Sequence, residues 1–200
     1  MKVLLDYNIL KAALPCAAAN DIRYYLNGVY IKATSNEVRY AATDGHLLFT
    51  AKKESGIDNW NVEIIIPTIT VERAIESHEK VYGEKSGEIN ISLESIDEDR
   101  YILIGECRYI LVDQVFKAID GTYPDFLKII PENCSGVLGK FNAKLLAKIS
   151  KAVAMANKSD ISDVTLNHNG DDASVIVGAD PSVIGAIMPM KDSDYKIWKV

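Results

Sequence analysis

The sequence predicts an α+β protein made of three similar units, each a strand, a helix and three further strands. Short apolar runs with strand character lie at residues 2–5, 62–66 and 136–141, and each is followed by a segment in which apolar residues recur at helical spacing. After every predicted helix come several short strands separated by turn residues. Such neighbouring short strands favour antiparallel sheets with helices on one face.

In the first unit, Asp6 follows the strand at residues 2–5 as a predicted helix cap, because its carboxylate can accept an orphan backbone N–H. Pro15 is expected to kink or end this helix early, since proline lacks a backbone donor. Stretches rich in Tyr, Val, Ile and Leu then predict three strands, at residues 23–32, 37–43 and 47–52.

In the second unit, Pro67 is expected to stop the strand at residues 62–66. Thr70 is the predicted cap of a helix that runs to about Tyr82, and Gly83 ends it. Three short strands follow, at residues 88–93, 101–105 and 109–115.

In the third unit, Asn142 is the predicted cap of the helix that follows the strand at residues 136–141. The pair Asn169-Gly170 is a strong turn signal between two of the last strands. Those strands are expected at residues 164–168, 174–178 and 184–188, and the polar tail at 192–200 is given no place in the fold.

An odd number of units poses a packing problem. A single unit has one amphipathic helix and a small sheet with unpaired edges, so it buries its apolar face poorly alone. Two units can pack helix beside helix under a shared sheet. We therefore expect the third unit to need a partner, most simply another chain.

The composition is that of a soluble globular protein, with 200 residues, 48% of them hydrophobic and 25% charged. The formal net charge of −6 argues against a protein that coats DNA by overall positive charge, but allows basic groups gathered on one inner surface. Three cysteines at wide spacing form no disulfide framework, which favours a reducing cytoplasm. No apolar run long enough to span a membrane and no secretory signal is visible.

Catalytic patterns are missing from the sequence. The three histidines, His46, His78 and His168, are widely spaced and show no metal-ligand pattern. No phosphate-binding glycine loop occurs, and no cysteine stands in a nucleophile signature. We therefore predict a protein that is not an enzyme and that uses no cofactor or metal.

Four segments carry a resemblance to a known family. They are RYYLNG at residues 23–28, TDGH at 43–46, DGTYPDF at 120–126 and MPM followed by a lysine at 188–191. In this order they are similar to segments of the bacterial DNA polymerase III beta subunit, the replication sliding clamp. Residues 1–133 resemble the complete middle domain of that family, and residues 134–200 hold what resembles the second half of its last domain plus a short tail.

The resemblance implies the DNA-clamp fold, in which paired units place helices inside a ring and antiparallel sheets outside. It also implies a pocket between the middle and last domains where polymerases and other partners dock a short apolar peptide. Carried over residue by residue, this pocket would be formed by Leu26, Thr43, Gly45, His46, Leu47, Leu48, Pro124, Lys128, Ile129, Asn142, Leu145, Ala186, Met188, Pro189 and Met190.

Simpler interpretations of these motifs stay open. TDGH is also an ordinary tight turn, in which Asp-Gly supplies backbone freedom. MPM can be a strand stopped by proline with both methionines in the core, and the YPD segment an extended linker stiffened by Pro124. The sequence also departs from the family at two places: Leu47 stands where the family usually has an arginine, and residues 67–69 replace a basic pair that faces DNA.

Contact with DNA is predicted from one lysine stripe. Lys144, Lys148 and Lys151 recur at helical spacing on the face opposite Leu145, which suits weak, sequence-independent attraction to phosphates. A solvated helix surface explains the same stripe equally well. By resemblance, Arg23, Tyr24 and Tyr25 lie near a loop that can meet the DNA backbone or a single strand.

The leading hypothesis is a clamp-like processivity factor that binds duplex DNA and tethers DNA polymerase or other proteins carrying clamp-binding peptides. The resemblance implies a ring of twelve units, so three units per chain require a homo-oligomer of four chains, with third units pairing across subunits. The alternative is an interaction module that binds clamp-binding peptides or modulates a host clamp without encircling DNA. A hydrolase or nuclease is a third class, to which no motif points.

Overall fold

The computed structural model describes residues 2–54, 61–83, 87, 90–105, 115–157 and 163–191. The predicted strand around 109–114 and the tail at 192–200 lie outside these ranges. None of the helices in the described part of the chain is long and apolar enough to cross a membrane. The elements, in chain order, are β1 (Lys2–Leu5), α1 (Tyr7–Ala13), β2 (Gly28–Ala33), β3 (Glu37–Thr43), β4 (Leu47–Glu54), β5 (Val62–Pro67), α2 (Thr68–Tyr82), β6 (Ile91–Ser95), β7 (Arg100–Gly105), β8 (Phe116–Lys117), α3 (Ala143–Ala156), β9 (Thr165–Asn167), β10 (Ser174–Val177) and β11 (Val183–Ile187).

Two of the predicted helix caps are confirmed. The Asp6 carboxylate accepts backbone N–H groups of Asn8 and Ile9 at 2.9 and 3.2 Å at the start of α1. The side-chain oxygen of Asn142 accepts the N–H groups of the second and third residues after it, at 2.9 and 3.4 Å, at the start of α3. Each cap satisfies donors that the first helical turn leaves unpaired.

The other helix boundaries follow proline and glycine. α1 ends at Ala13, and a 3₁₀ turn at Leu14–Cys16 contains Pro15, as expected for a residue without a backbone donor. The prediction that Thr70 caps α2 was wrong: the helix begins at Thr68, and Thr70 lies buried in its first turn. Gly83 does end α2, with φ +55°.

The expectation of one sheet shared by the first two units was wrong, because the structure has two sheets. One has the strand order β1-β6-β7-β8 and the other β5-β2-β3-β4-β11-β10-β9. The first two units exchange the strands that precede their helices: β1 pairs with β6, with Leu5 opposite Ile91, and β5 pairs with β2, with Val62 opposite Ala33. Each exchanged strand pairs with the strand that directly follows the helix of the other unit. The edge of that strand would otherwise expose unpaired backbone groups.

The third unit, which was expected to need a partner, most simply another chain, finds a first partner inside the same chain. Strand β11 pairs antiparallel with β4 and so extends the sheet of the first unit. Helix α3 packs beside α1 and under β11. Ile149 and Val153 of α3 are fully buried in the same core as Ile9 and Phe49 of the first unit.

The segment at residues 134–142 forms no strand, although one was predicted at 136–141. Gly136 N–H donates to the carbonyl of His168, just beyond β9, at 3.0 Å. Met190 N–H, just beyond β11, donates to the carbonyl of Lys140 at 2.7 Å. The segment therefore runs across the ends of the third unit's strands. A second correction concerns the strand predicted at residues 23–32. It begins at Gly28, because Tyr24–Leu26 forms a 3₁₀ turn.

The seven-stranded sheet is covered on both faces. The three helices pack against one face, and the chain at residues 118–131 crosses the other. There Tyr123 stacks on Tyr30 of β2 with ring centroids 4.7 Å apart, and Phe126 meets the same ring edge-on at 5.9 Å. Burial on both faces near this crossing explains the continuous buried runs at residues 28–31 of β2 and 47–51 of β4.

A polar clasp joins α1 to α2. The Glu79 carboxylate accepts hydrogen bonds from the Tyr7 hydroxyl and the Lys11 ammonium, both at 2.6 Å. The Lys11 and Tyr7 hydrogen bonds hold the pKa of Glu79 below its ordinary value, and the Glu79 partner raises the pKa of Lys11. The ring of Tyr7 also stacks on buried His78 at 4.8 Å.

We expect Glu79→Gln to lower the free energy of unfolding at neutral pH but hardly at all in acid. A carboxylate whose folded pKa is depressed contributes stability above its unfolded pKa and loses it as the pH falls through the folded pKa. Urea unfolding at pH 7 and pH 3 measures the gap between variant and wild type. Glu76→Gln, on the exposed side of the same helix, is the matched control, and a gap that stays constant with pH would contradict the assignment.

Candidate functional site

A cavity of about 530 Å³ lies at the joint between the first and third units, where β4 pairs with β11. Its size falls within the roughly 300–1,000 Å³ of ligand-binding clefts. Four parts of the chain line it: the turn between β3 and β4 with the start of β4, the last residues of the outer-face crossing, the turn between β9 and β10, and the end of β11. The lining residues are Thr43, Gly45, His46, Leu47, Leu48, Lys128, Ile129, Pro131, Asn169, Asp172, Ala173, Ala186, Ile187 and Met188.

The turn between β3 and β4 is held by its own side chains. Asp44 Oδ1 accepts the backbone N–H groups of His46 and Leu47 at 3.0 and 3.1 Å. The Thr43 hydroxyl donates to the Leu47 carbonyl at 2.6 Å and accepts the N–H of Gly45 at 3.1 Å. Gly45 has φ +90°, a conformation that favours glycine. The TDGH motif thus folds into a fixed wall of the cavity.

Arg23 lies against the outside of this turn. Its guanidinium donates to the Asp44 carbonyl at 3.4 Å, and a Cβ added at Gly45 would lie 2.9 Å from Arg23 Nη2. Two further hydrogen bonds, at 3.0 and 2.7 Å, join the same guanidinium to Asp21 and lower the pKa of that carboxyl to about 2. The guanidinium is the end of a flexible side chain and could shift, so the positive φ remains the reason for glycine at position 45.

An ion pair ties the turn to the third unit. Lys148 Nζ of α3 donates to Asp44 Oδ2 at 3.1 Å, and both side chains are mostly buried, with 32% and 18% of their surface exposed. A backbone hydrogen bond from Met188 N–H to the His46 carbonyl at 2.9 Å joins the same turn to the end of β11. These two contacts fix the width of the cavity between the units.

The cavity has an apolar floor and a mixed rim. Leu48 and Ala186, each only 2% exposed, form the floor on the outer face of the sheet, whereas Leu47, next to Leu48, packs into the core on the helix side. Met188 and Ile129 stand at the mouth with 43% and 41% of their surface exposed, so both can contact an incoming ligand. The rim carries polar side chains from three segments, namely His46, Lys128, Asn169 and Asp172.

The structure brings together nine of the fifteen residues that the resemblance assigns to the pocket. These are Thr43, Gly45, His46, Leu47, Leu48, Lys128, Ile129, Ala186 and Met188. The other six do not line the cavity: Leu26 is buried in the outer-face cluster, Asn142 caps α3, Leu145 packs on the inner core, and Pro124, Pro189 and Met190 lie in the flanking chain.

Sequence reasoning missed five lining residues, Pro131, Asn169, Asp172, Ala173 and Ile187. A signal for Asn169 and Asp172 is present in the sequence, because Asn169 begins the turn that was predicted between two of the last strands. The Asp172 N–H donates to the Asn169 carbonyl at 3.1 Å and closes that turn. What the sequence could not show is that this turn lies beside the end of β4.

The predicted DNA-contacting residues fall into two groups. Lys144 and Lys151 are exposed on α3, and Tyr24 is 57% exposed. Lys148 and Arg23 are instead engaged with Asp44 and Asp21. Tyr25 is partly buried against the outer-face cluster and meets Tyr24 edge-on with ring centroids 5.8 Å apart. The lysine stripe is thus accessible at two of its three positions.

Comparison with known proteins gives a consistent result. Residues 7–125, more than half of the chain, match the family described as DNA polymerase III beta subunit, central domain. The beta sliding clamp of Synechocystis sp. is 24% identical over 179 residues, which cover 85% of this chain and 44% of the relative. The beta sliding clamp of Haemophilus influenzae is 28% identical over 155 residues, covering 75% and 38%. The chain therefore spans less than half the length of these relatives.

Solved structures confirm the expected fold. The DNA polymerase sliding clamp from Caulobacter crescentus superposes with a TM-score of 0.74 at 16% identity, covering 96% of this chain and 65% of that one. The DNA polymerase III subunit beta from Pseudomonas aeruginosa gives a TM-score of 0.72 at 13% identity, covering 95% and 66%. At these identities the likeness establishes the α+β clamp fold.

We expect Asp44→Asn and Lys148→Met to be coupled by about 1 kcal/mol in the free energy of unfolding, the size of a well-placed ion pair. Urea unfolding of both single variants and the double variant measures this coupling. The matched cycle pairs Asp44→Asn with Lys144→Met, an exposed lysine of the same helix, and should give a coupling near zero. Equal coupling in the two cycles would show that the ion pair does not join the units.

Proposed function

The chain belongs to the DNA polymerase III beta subunit family, the bacterial sliding clamps, and on that premise we propose that it is a clamp-like processivity factor. Oligomers of the chain associate with or encircle duplex DNA and hold DNA polymerase or other replication and repair proteins. The tether is a short apolar peptide of the partner, bound in the cavity at the β4–β11 joint. The observation that carries this proposal is that cavity, formed where the two units meet.

The lining of the cavity suits a peptide with large apolar side chains. Apolar walls with a few polar groups at the rim are the usual composition of such sites. Met188 at the mouth is unbranched and polarizable, so it adapts to different apolar partners. His46 at the rim can hydrogen-bond the main chain of an extended peptide, whereas the Asn169 side chain is engaged with the Ser135 N–H and the Ala173 carbonyl.

This cavity differs from the usual pocket of the family at the position where an arginine is common. Leu47 occupies that position, where it lines the cavity and packs into the core on the helix side with 2% of its surface exposed. The rim still has a cation, because Lys128 lines the cavity and its side chain is 82% exposed. We propose that this chain prefers partner peptides that are more apolar at the floor and acidic near Lys128.

For DNA, we propose that Lys144 and Lys151 of α3 supply sequence-independent attraction to phosphates, in the cytoplasm where replication takes place. With three units per chain, a ring of twelve units closes with four chains. The second candidate is an interaction module that binds the same peptides without encircling DNA. The net charge of −6 and the engagement of Lys148 by Asp44 favour it.

Met188→Ala combined with Ile129→Ala should weaken binding of a fluorescent peptide carrying two adjacent large apolar residues by about 2 kcal/mol, the cost of losing buried anchors. Fluorescence polarisation measures the affinity. Both residues are half-exposed, so the variant should keep its fold. Met190→Ala is the matched control, since Met190 lies two residues further and does not line the cavity. Unchanged affinity in the double variant, or an equal loss with Met190→Ala, would refute this peptide site.

Lys144→Glu combined with Lys151→Glu should lower the slope of log affinity for duplex DNA against log salt concentration by about 2, close to one for each lysine that no longer neutralises a phosphate. Lys117→Glu, an exposed lysine on the β8 strand, is the control and should change the slope little. Retention on circular DNA that disappears on linearisation would support the ring. Peptide binding without any retention on DNA would instead support the interaction module.

A further inference from the structure

The first two units follow a common pairing rule. In each, the strand before the helix leaves its own unit and pairs antiparallel with the first strand after the helix of the other unit. β1 therefore lies along β6, and β5 lies along β2. The two helices then pack side by side, clasped by Glu79 with Tyr7 and Lys11. A pair of units is complete only when both strands have been exchanged.

The third unit has the same order of parts but the exchange is not made. Residues 136–141 precede α3, as β1 precedes α1, and β9 follows α3, as β2 follows α1. β9 pairs with β10 on one side and ends the seven-stranded sheet on the other, so no strand of the described ranges covers that edge. Residues 136–141 themselves form no strand. The unit thus has both a strand to donate and an edge to receive one.

Apolar exposure marks the segment that would be donated. Val137 and Leu138 are 61% and 80% exposed, whereas Val3 and Leu5 of β1, which has been exchanged, are fully buried. Three backbone hydrogen bonds hold the segment, through Gly136 N–H, the Val137 carbonyl and the Lys140 carbonyl. Val137 N–H and Gly139 N–H also donate to the Ser135 hydroxyl oxygen and to His168 Nδ1, both at 3.3 Å. Strand exchange would replace these bonds with a ladder of backbone hydrogen bonds along β9.

One flank of α3 is also uncovered. The helix packs beside α1 and under β4, β11 and β10. At about 100° per residue, Ala143 and Ser150 lie on the flank opposite Lys148, the residue that faces the first unit. Ala143 is exposed and Ser150 is partly exposed, and both are small, so a second helix can approach closely. In the first pair of units, the corresponding space beside α1 is filled by α2.

We infer that the third units of two copies of this chain pair by reciprocal strand exchange, residues 136–141 of each lying antiparallel along β9 of the other, with the two α3 helices side by side. A second copy is the occupant that supplies the donor strand, the acceptor edge and the small helix flank in one surface, as a two-fold interface requires. The strand exchange rests on the proposed function in one respect only: it would form one of the contacts between chains in the proposed ring.

Light scattering after size exclusion tests this pairing. At micromolar concentration the wild-type chain should have at least twice the mass of the 22.1 kDa chain. Val137→Lys combined with Leu138→Lys should at least halve the observed mass, because charges tolerated on the exposed segment would be buried in the joint. Ser150→Glu on the helix flank should do the same independently. Ile22→Lys combined with Ile96→Lys, exposed apolar residues elsewhere, is the matched control and should leave the mass unchanged.

The outcomes separate the strand exchange from the proposed function. A wild-type chain that is monomeric, or an oligomer unaffected by both the lysine pair and Ser150→Glu, overturns the exchange, while peptide titration still tests the cavity. Dissociation of the oligomer in those variants with peptide affinity retained supports the exchange. If the peptide fails to bind wild-type protein but the variants still dissociate, tethering is refuted and the exchange stands. Far-ultraviolet circular dichroism confirms that each variant is folded.

Discussion

The pairing of β4 with β11 is the constraint on which the rest of the structure depends. Five residue pairs, from Leu47 opposite Ile187 to Ala51 opposite Val183, join parts of the chain that are far apart in sequence. This ladder makes one sheet from two units and sets α3 beside α1. The cavity exists because two turns and the end of β11 meet where the ladder stops. A shift in register by one residue would turn the floor of the cavity toward the helices.

Asp44 joins the same two units through polar contacts. One oxygen of its carboxylate holds the turn before β4, and the other accepts the Lys148 ammonium from α3. A residue that looks like part of a surface turn therefore orders a wall of the cavity and anchors the third unit. The same ion pair takes one lysine out of the stripe that would face DNA. The Asp44–Lys148 pair thus stabilises the wall of the cavity and also limits how many lysines of α3 can contact DNA.

The helices and most strands were predictable because their signals are local. Asp6, Pro15 and Asn142 act on backbone groups within a few residues, so their effects do not depend on the rest of the fold. Strand partners were not predictable, since an apolar strand has the same pattern whichever edge it covers. The resemblance located most of the cavity, but Asp172 was missed because only the tertiary fold brings its turn next to β4.

The exchange of strands between units has a consequence for how the chain is made. β1 leaves the ribosome before its partner β6, which begins only at Ile91, so β1 waits with an unpaired edge while the residues between them are translated. Its residues alternate between exposed and fully buried in the finished fold, with Val3 and Leu5 facing the core. Until β6 emerges, that apolar face is an exposed site for chaperones or for misassociation between nascent chains.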